Sequence, residues 1–448
     1  MPSQGTIGDR VRGLRLSRRM SQAQLAGPDL SDSYVSLIES GKRTPTPVVA
    51  RLLAERLGCT TEFLLHGIEP RQRIDTELGL RHAELELLHG DPGVAADRFG
   101  EIVKVAGEEN AMLAAHARFG RARALELQGR LGPAVEAFEW LRREAVAHPE
   151  RLADLPLAVA LSRCYQRAGD TLRAQDLAAH ALAEVAKLPL AHGELAVELA
   201  ACLAEAPVTG ETGMAYVRHV LAVNGVRTAV NRSAEIHALW QASVAAADGE
   251  DSALAVRLAD DAIATGRSAR MASQLALVAT HWARQSVLEG GSLDEAARFA
   301  TRAGEVFSAF PERAGEHVAS LVVLARVRLA SGDVAGAASL AETALGTPAG
   351  RAGATAATAH LVLARIALDH GRGDATGALD AARRTMGSAP YELSSPDREA
   401  ARVWRDLGDL YGEVGADDER TAAYRRALEA AGVREAMVGV TVDRALAR

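Results

Sequence analysis

The chain has 448 residues, more than one ordinary domain holds. Hydrophobic residues are 48% of it but aromatics only 4%, so its apolar surface is mostly Ala, Leu and Val; this favours many alanine-rich helices and little sheet. A formal net charge of −7 argues against non-specific coating of nucleic acid, and Cys59, Cys164 and Cys202 are too few and too scattered for a disulfide scaffold or a zinc knuckle.

The charge is uneven. Residues 1–70 hold nine Lys/Arg and seven Asp/Glu, a net of +2, which leaves 42 basic and 51 acidic residues and a net of −9 for the rest. The mildly basic segment begins with an amphipathic helix, Ile7–Arg19, burying Val11 and Leu14. Ser21-Gln22-Ala23-Gln24 then has the form of a capping box, with Leu25 and Ala26 as its apolar contact. A tight segment, Gly27–Leu30, leads to Ser31–Arg43, a short helix with Ser31 as N-cap and Gly41 as its stop. Val35 and Ile38 share its buried stripe, which leaves Asp32, Ser33, Ser36 and Leu37 facing outward. Lys42 and Arg43 stand just past the end, placed to meet phosphates. Thr44-Pro45-Thr46-Pro47 blocks one helix and starts another, Val48–Leu57, which buries Leu52 and Leu53 and is closed by Gly58. Thr61–His66 is a last short turn with Phe63 and Leu64 inward, and Gly67–Pro70 a domain boundary.

Two short helices joined by a tight segment make a helix-turn-helix. Residues 7–67 resemble the DNA-binding domain of the XRE (lambda-repressor-like) family of bacterial regulators. The resemblance rests on Ser21-Gln22-x-x-Leu25-Ala26, on Ser31-x-Ser33-Tyr34-Val35-Ser36-x-Ile38-Glu39-x-Gly41-Lys42-Arg43, and on Leu57-Gly58 before Phe63-Leu64-Leu65. It implies five helices, the third lying in the major groove. It further implies that Gln22 anchors the second helix on the DNA backbone or an adjacent base. Ser31, Asp32, Ser33, Ser36 and Leu37 would face base edges, and Tyr34, Ser40, Lys42 and Arg43 would hold phosphates. Arg15 and Glu39 match a family ion pair with a structural role. Two features depart from the pattern: the turn Gly27–Leu30 is short, and Asp32 sits where a basic or amide residue is common. A carboxylate there is repelled by phosphates but can accept from cytosine N4, or it merely adds charge to a helix N-terminus.

From the boundary onward the chain repeats. Gly90, Gly129, Gly169, Gly210, Gly249, Gly291, Gly332, Gly371 and Gly415 recur at intervals of 39 to 44 residues, each between two apolar helical patterns. That period fits two helices of four to five turns plus two tight turns. The last unit, with Trp404, Leu407, Gly408, Tyr411, Gly415, Tyr424, Ala427 and Leu428, is similar to the tetratricopeptide repeat. The unit near Gly210 is poor, its long turn Pro207–Gly213 a possible break in the array. The expected fold is therefore all-α: a five-helix lambda-repressor-like domain (1–68), a linker (69–73), a tetratricopeptide-like superhelix of about nine hairpins (74–435), and a C-terminal segment (436–448).

The first helices of such hairpins line a concave wall. Counting six residues back from the turn glycines gives Arg123, Arg163, Ser243, Gln285, Arg326 and Arg365. Gln166, His281, Arg402 and Arg405 are also expected to face inward. Arginine suits carboxylates and peptide carbonyls because its planar fork donates in pairs, so one reading is a groove for an anionic small molecule or a peptide. The other is that each Arg pairs with an acid from the next helix. Trp240, Trp282 and Trp404 on first helices could stack on a ligand or fill the core. His192 and Glu194 lack a third metal ligand at helical spacing.

No phosphate loop, H-E-x-x-H or G-x-S-x-G stands in the chain, so no enzyme and no cofactor is expected. With no run of about 18 apolar residues, a cytoplasmic protein without a membrane segment is expected. The reading is a sequence-specific transcriptional regulator that binds a double-stranded operator as a homodimer. Its repeat domain would sense a peptide or small-molecule effector, mediate dimerisation, or both. Regulators with this domain pair, which the chain resembles, often sense secreted peptides in quorum sensing. The rival reading is a DNA-tethered protein-interaction scaffold with no small ligand.

Overall fold

The computed structural model describes residues 6–66, 70–106, 110–187, 191–205, 210–371, 373–387 and 397–432. Every regular element among them is helical. The chain divides into two units, Met1–Ala153 with Ser233–Thr265, and Asp154–Arg232 with Gly266–Arg448.

The first five helices are α1 (Ile7–Ser17), α2 (Gln22–Ala26), α3 (Asp32–Glu39), α4 (Pro47–Arg56) and α5 (Thr61–His66). Their starts are written in the sequence. Thr6 and Asp9 form a capping box on α1, Ser21 and Gln24 another on α2, and Thr46 caps α4 ahead of Pro47. Val11, Leu25, Val35, Ile38, Leu53, Leu57 and Leu64 are fully buried and form the shared core, with Leu14 packed half-buried against it; Leu52 and Phe63, expected inward, are half-buried. Buried Arg10 reaches from α1 to the carbonyls of Leu64 and Leu65, at 3.1 and 2.7 Å, and satisfies acceptors near the end of α5.

The hairpin helices follow: α6 (Pro70–His89), α7 (Pro92–Ala106), α8 (Ala111–Leu127), α9 (Leu131–Ala147), α10 (Asp154–Ala168), α11 (Thr171–Lys187), α12 (Glu194–Glu205), α13 (Gly210–Asn224), α14 (Ser233–Asp248), α15 (Ser252–Glu289), α16 (Leu293–Ser308), α17 (Ala314–Ala330), α18 (Val334–Gly346), α19 (Gly353–His370), α20 (Ala375–Gly387), α21 (Arg398–Val414) and α22 (Asp417–Ala430). Of the nine spaced glycines, all but Gly210 fall between two of these helices; Gly210 is the first residue of α13. Residues 67–69, 206–209 and 433–448, which take in parts of the expected linker, the turn before Gly210 and the C-terminal segment, lie outside the described residues.

Small residues let the paired helices close up. A Cβ on Gly408 would stand 2.7 Å from the Tyr424 ring, and one on Gly120 2.5 Å from the Phe99 ring. Alanines fill the rest of the contact, as with Ala174, Ala178 and Ala181 of α11, all buried. One expected turn is missing. The fifth and sixth hairpins share α15, a single helix of 38 residues whose first half packs on α14 and whose second half packs on α16. The stretch between the halves has no proline, and Gly266 alone costs a helix only about 1 kcal/mol, too little to break it among good helix formers. Among the described residues, no helix is long and apolar enough to cross a membrane.

In the five-helix domain α1 comes close against the backbone of α3. A Cβ on Gly8 would stand 2.3 Å from the carbonyl oxygen of Ile38, and backbone cannot give way as a flexible side chain can. Gly8→Ala is expected to destabilise the five-helix domain by about 1–3 kcal/mol. Hydrogen exchange of the α1 and α3 amides should quicken while the amides of α19 and α20 keep their protection.

Candidate nucleic-acid interface

Helix α3 is held at both ends by its own residues. The Ser31 hydroxyl accepts from the Tyr34 N–H at 3.2 Å. At the other end the Gly41 N–H donates to Ile38 O and the Lys42 N–H to Leu37 O, each at 3.0 Å, with Gly41 in the left-handed region at φ +69. This is a Schellman closure, and glycine adopts its left-handed residue without steric cost. Between these ends Val35, Ile38 and Glu39 are buried, while Ser31, Asp32, Ser33, Ser36, Leu37 and Ser40 are exposed.

Beneath the exposed face lies a buried ion pair. Arg15 donates to Glu39 through Nε at 2.6 Å and Nη2 at 2.9 Å, and through Nη1 to Met20 O at 2.8 Å. The Gln22 amide donates to the same carboxylate at 2.8 Å. Three helices are thereby joined on one acidic side chain. Burial alone would raise the Glu39 carboxyl. The hydrogen bonds from Arg15 and Gln22, with the charges of Arg15 and Arg12, outweigh it and hold the group below its ordinary value.

The short turn is braced from outside. Arg56 of α4 donates to the carbonyls of Leu25, at 3.1 Å, and Ala26, and pairs with Asp29. Gly27 sits where any Cβ would meet that guanidinium, at 2.8 Å. Arg56 escaped the sequence reading because nothing in its local pattern shows that it reaches back some thirty residues. Past the helix, Arg43 stacks over the half-buried Tyr34 ring, 4.9 Å from its centre, and the neighbouring Lys42 is exposed. Gln22 is half-buried, and its bond to Glu39 leaves one amide N–H and the carbonyl oxygen uncommitted.

The residues expected in the repeat wall are divided between the units. In the first, Arg123 and Trp240 are half-buried, Trp240 against the cluster of Leu78, Leu85 and Ile236. Ser243 donates to Ala255 O and so accepts from His82 Nε2. In the second, Arg163 faces Glu198 at 4.0 Å, Arg326 faces Asp406 at 3.8 Å, and Arg365 grips Glu413 with both arms, at 2.7 and 2.8 Å. Gln285 pairs with Glu289. Gln166 is buried and accepts from Cys202 at 3.5 Å. His281 accepts from Arg284, a residue the turn-counting did not select because it lies on the adjoining position of the same helix. Trp282 packs edge-on against Phe299 and Trp404 lies within the core near Leu407 and Tyr411. Among the described residues, no group of three or more His, Cys, Asp or Glu could hold a metal ion.

Residues 11–64 match the sequence model of a family described as Helix-turn-helix. Those residues are a helix-turn-helix DNA-binding domain, and paired helices follow it. No curated protein sequence matches the chain. Among solved structures, the apo form of the quorum sensor NprR from B. thuringiensis is 12% identical, with 95% of this chain and 99% of that one covered at a TM-score of 0.45. PlcR of Bacillus thuringiensis, in complex with the peptide PapR7 and DNA, is 13% identical over 70% of this chain and 99% of its own, at 0.34. A Rap protein complexed with Competence and Sporulation Factor is 14% identical over 94% and 98%, at 0.40. Likeness at this level carries no ligand or partner over to this chain.

The ion pair generates a prediction with a definite sign. Because the folded carboxyl of Glu39 lies below its unfolded value near 4.5, its contribution is present above that pH and is lost as pH falls through the folded value. The thermal unfolding midpoint of the five-helix domain should fall as pH drops below that point, and Glu39→Gln should remove this part of the acid sensitivity. At neutral pH, Glu39→Leu strands the Arg15 charge and is expected to cost roughly 3–5 kcal/mol.

Proposed function

We propose that the protein is a sequence-specific transcriptional regulator that reads a double-stranded operator with α3 as a homodimer, and that its repeat domain senses a peptide or small-molecule effector. The observation that carries the reading is the outward face of α3: Ser33 and Ser36 are exposed on a helix whose other side is fixed by a buried, fully hydrogen-bonded ion pair. A face held that rigidly presents the same donors and acceptors to each base edge it meets.

The roles then sort by chemistry. Ser31, Asp32, Ser33, Ser36 and Leu37 face base edges, with Leu37 suited to a thymine methyl and Asp32 to cytosine N4. Lys42, Arg43, Tyr34 and Ser40 meet phosphates, and the uncommitted N–H and carbonyl oxygen of Gln22 meet the DNA backbone or an adjacent base. One short helix makes few base contacts, so two copies reading half-sites about 34 Å apart supply the rest. Effector binding in the repeats alters the dimer geometry and hence the match to that spacing. The setting is the cytoplasm.

Genomic footprinting of the wild type beside Ser36→Arg tests this. The wild type should protect discrete sites, and Ser36→Arg should leave or redistribute them, at about 1–3 kcal/mol for the affected base pair. Lys42→Ala should instead weaken binding evenly across sequences and reduce the slope of log affinity against log salt by about 1. Protection without discrete sites, or identical footprints from wild type and Ser36→Arg, would remove the assignment of α3 as reader.

A further inference from the structure

Most charged side chains in the second unit answer one another across or along helices, as Arg365 does with Glu413 and Arg218 with Glu295. Arg284 and Arg402, on first helices, do not. Arg284, on the second half of α15, gives one Nη to Nδ1 of His281 at 2.9 Å, a neutral acceptor. Its Nε is buried with no hydrogen-bond partner among the described residues. Arg402, on α21, makes no ion pair or hydrogen bond with the described residues, and it lies close enough for its charge to disfavour that of Arg284.

Neighbouring acids do not resolve this. Glu205 on α12 and Glu399 on α21 are near enough to favour the Arg284 charge, but neither forms an ion pair with it. Asp406 is held by Arg405 at 2.6 Å and faced by Arg326 at 3.8 Å. His281 adds no compensating charge. Burial, then the charges of Arg284 and Arg402, push it down to about 3, so the ring is neutral. Accepting at Nδ1 places its proton on Nε2, which makes the ring a further donor. The result is a half-buried set of guanidinium and imidazole donors that Glu205, Glu399 and Asp406 favour by charge but, among the described residues, do not meet in a hydrogen bond or ion pair. Desolvated like charges of this kind are costly to keep, and a bound anion removes the cost.

We propose that Arg284 and Arg402, with His281, form the recognition site for an oxyanion, a carboxylate or phosphate group carried by the ligand that the repeat domain senses. Two guanidinium forks match either group in paired hydrogen bonds. The inference rests on the reading of the repeats as the sensing half, but anion binding can be measured without reference to DNA.

The test uses the full chain, with citrate and inorganic phosphate as separate probes and chloride at matched ionic strength as control. At saturation one probe should raise the unfolding midpoint by roughly 2 °C, and that probe identifies the source of the oxyanion. Arg402→Met should abolish the rise, yet leave the midpoint in anion-free buffer unchanged or higher, because a desolvated like charge has gone. Arg284→Gln should weaken calorimetric binding at least about tenfold. No response to either probe, an undiminished response in Arg402→Met, or a lowered anion-free midpoint in that variant would overturn the site. Operator binding is assayed alongside: intact DNA affinity with no anion response sinks this site alone, whereas absent DNA affinity sinks the regulator.

Discussion

The amino-terminal domain depends on the carboxylate of Glu39. It accepts from Arg15 on α1 and Gln22 on α2 while belonging to α3, so the orientation of the outward face of α3 is set by three helices at once. A buried charge tolerates little rearrangement, because any movement that lengthens its hydrogen bonds leaves it desolvated and unpaired. An apolar contact at the same place would hold the helices together but would let α3 slide along them. The ion pair therefore contributes direction where the surrounding leucines and valines contribute cohesion. Arg56 does for the turn what Arg15 does for the helix: it fixes the carbonyls of Leu25 and Ala26, and so the start of the chain's swing from α2 into α3.

The hairpin domain is held by a different principle. Its contacts are made by alanine and glycine at short helix separations, with few aromatics to fill space, as the low aromatic content requires. Close approach makes each pair stiff, since a larger side chain at Gly120 or Gly408 has nowhere to go. It also leaves polar side chains of the first helices free of core duty. Arg326 and Arg365 can then engage acids on another helix, Asp406 and Glu413, rather than pack.

Much of this could be read from the chain, and the limit has a physical cause. Helix starts were legible because caps are local: Thr46-Pro47 and Ser21-x-x-Gln24 declare themselves within four residues. The exposed positions of α3 followed from helical period alone, and the Arg15–Glu39 pair from the family resemblance. What the sequence hid are contacts between distant segments, such as Arg56 with the α2 carbonyls and Arg284 with its neighbours on α21. The continuity of α15 was hidden for the opposite reason: the period of about 40 residues marks where turns fall between helices, and one boundary between hairpins carries no turn. Counting from glycines selected Arg326 and Arg365, which the fold provides with acids, and passed over Arg284, whose Nε the described residues leave without one.

Buried arginine thus serves two ends in one chain. Arg15 has every arm answered at hydrogen-bonding distance, and such a group resists change: nothing that binds nearby can improve its state, so the helix it holds keeps one orientation. Arg284 has a neutral imidazole at hydrogen-bonding distance, the Arg402 charge and the carboxylates of Glu205 and Glu399 nearby, and a bare Nε that a bound anion would satisfy. A site shifts a conformational equilibrium only by the difference in free energy that binding makes between states. A satisfied ion pair offers no such difference, while an unsatisfied pair of guanidiniums offers a large one. The same side chain chemistry therefore gives rigidity where the surface must be read reproducibly and responsiveness where a signal must be felt.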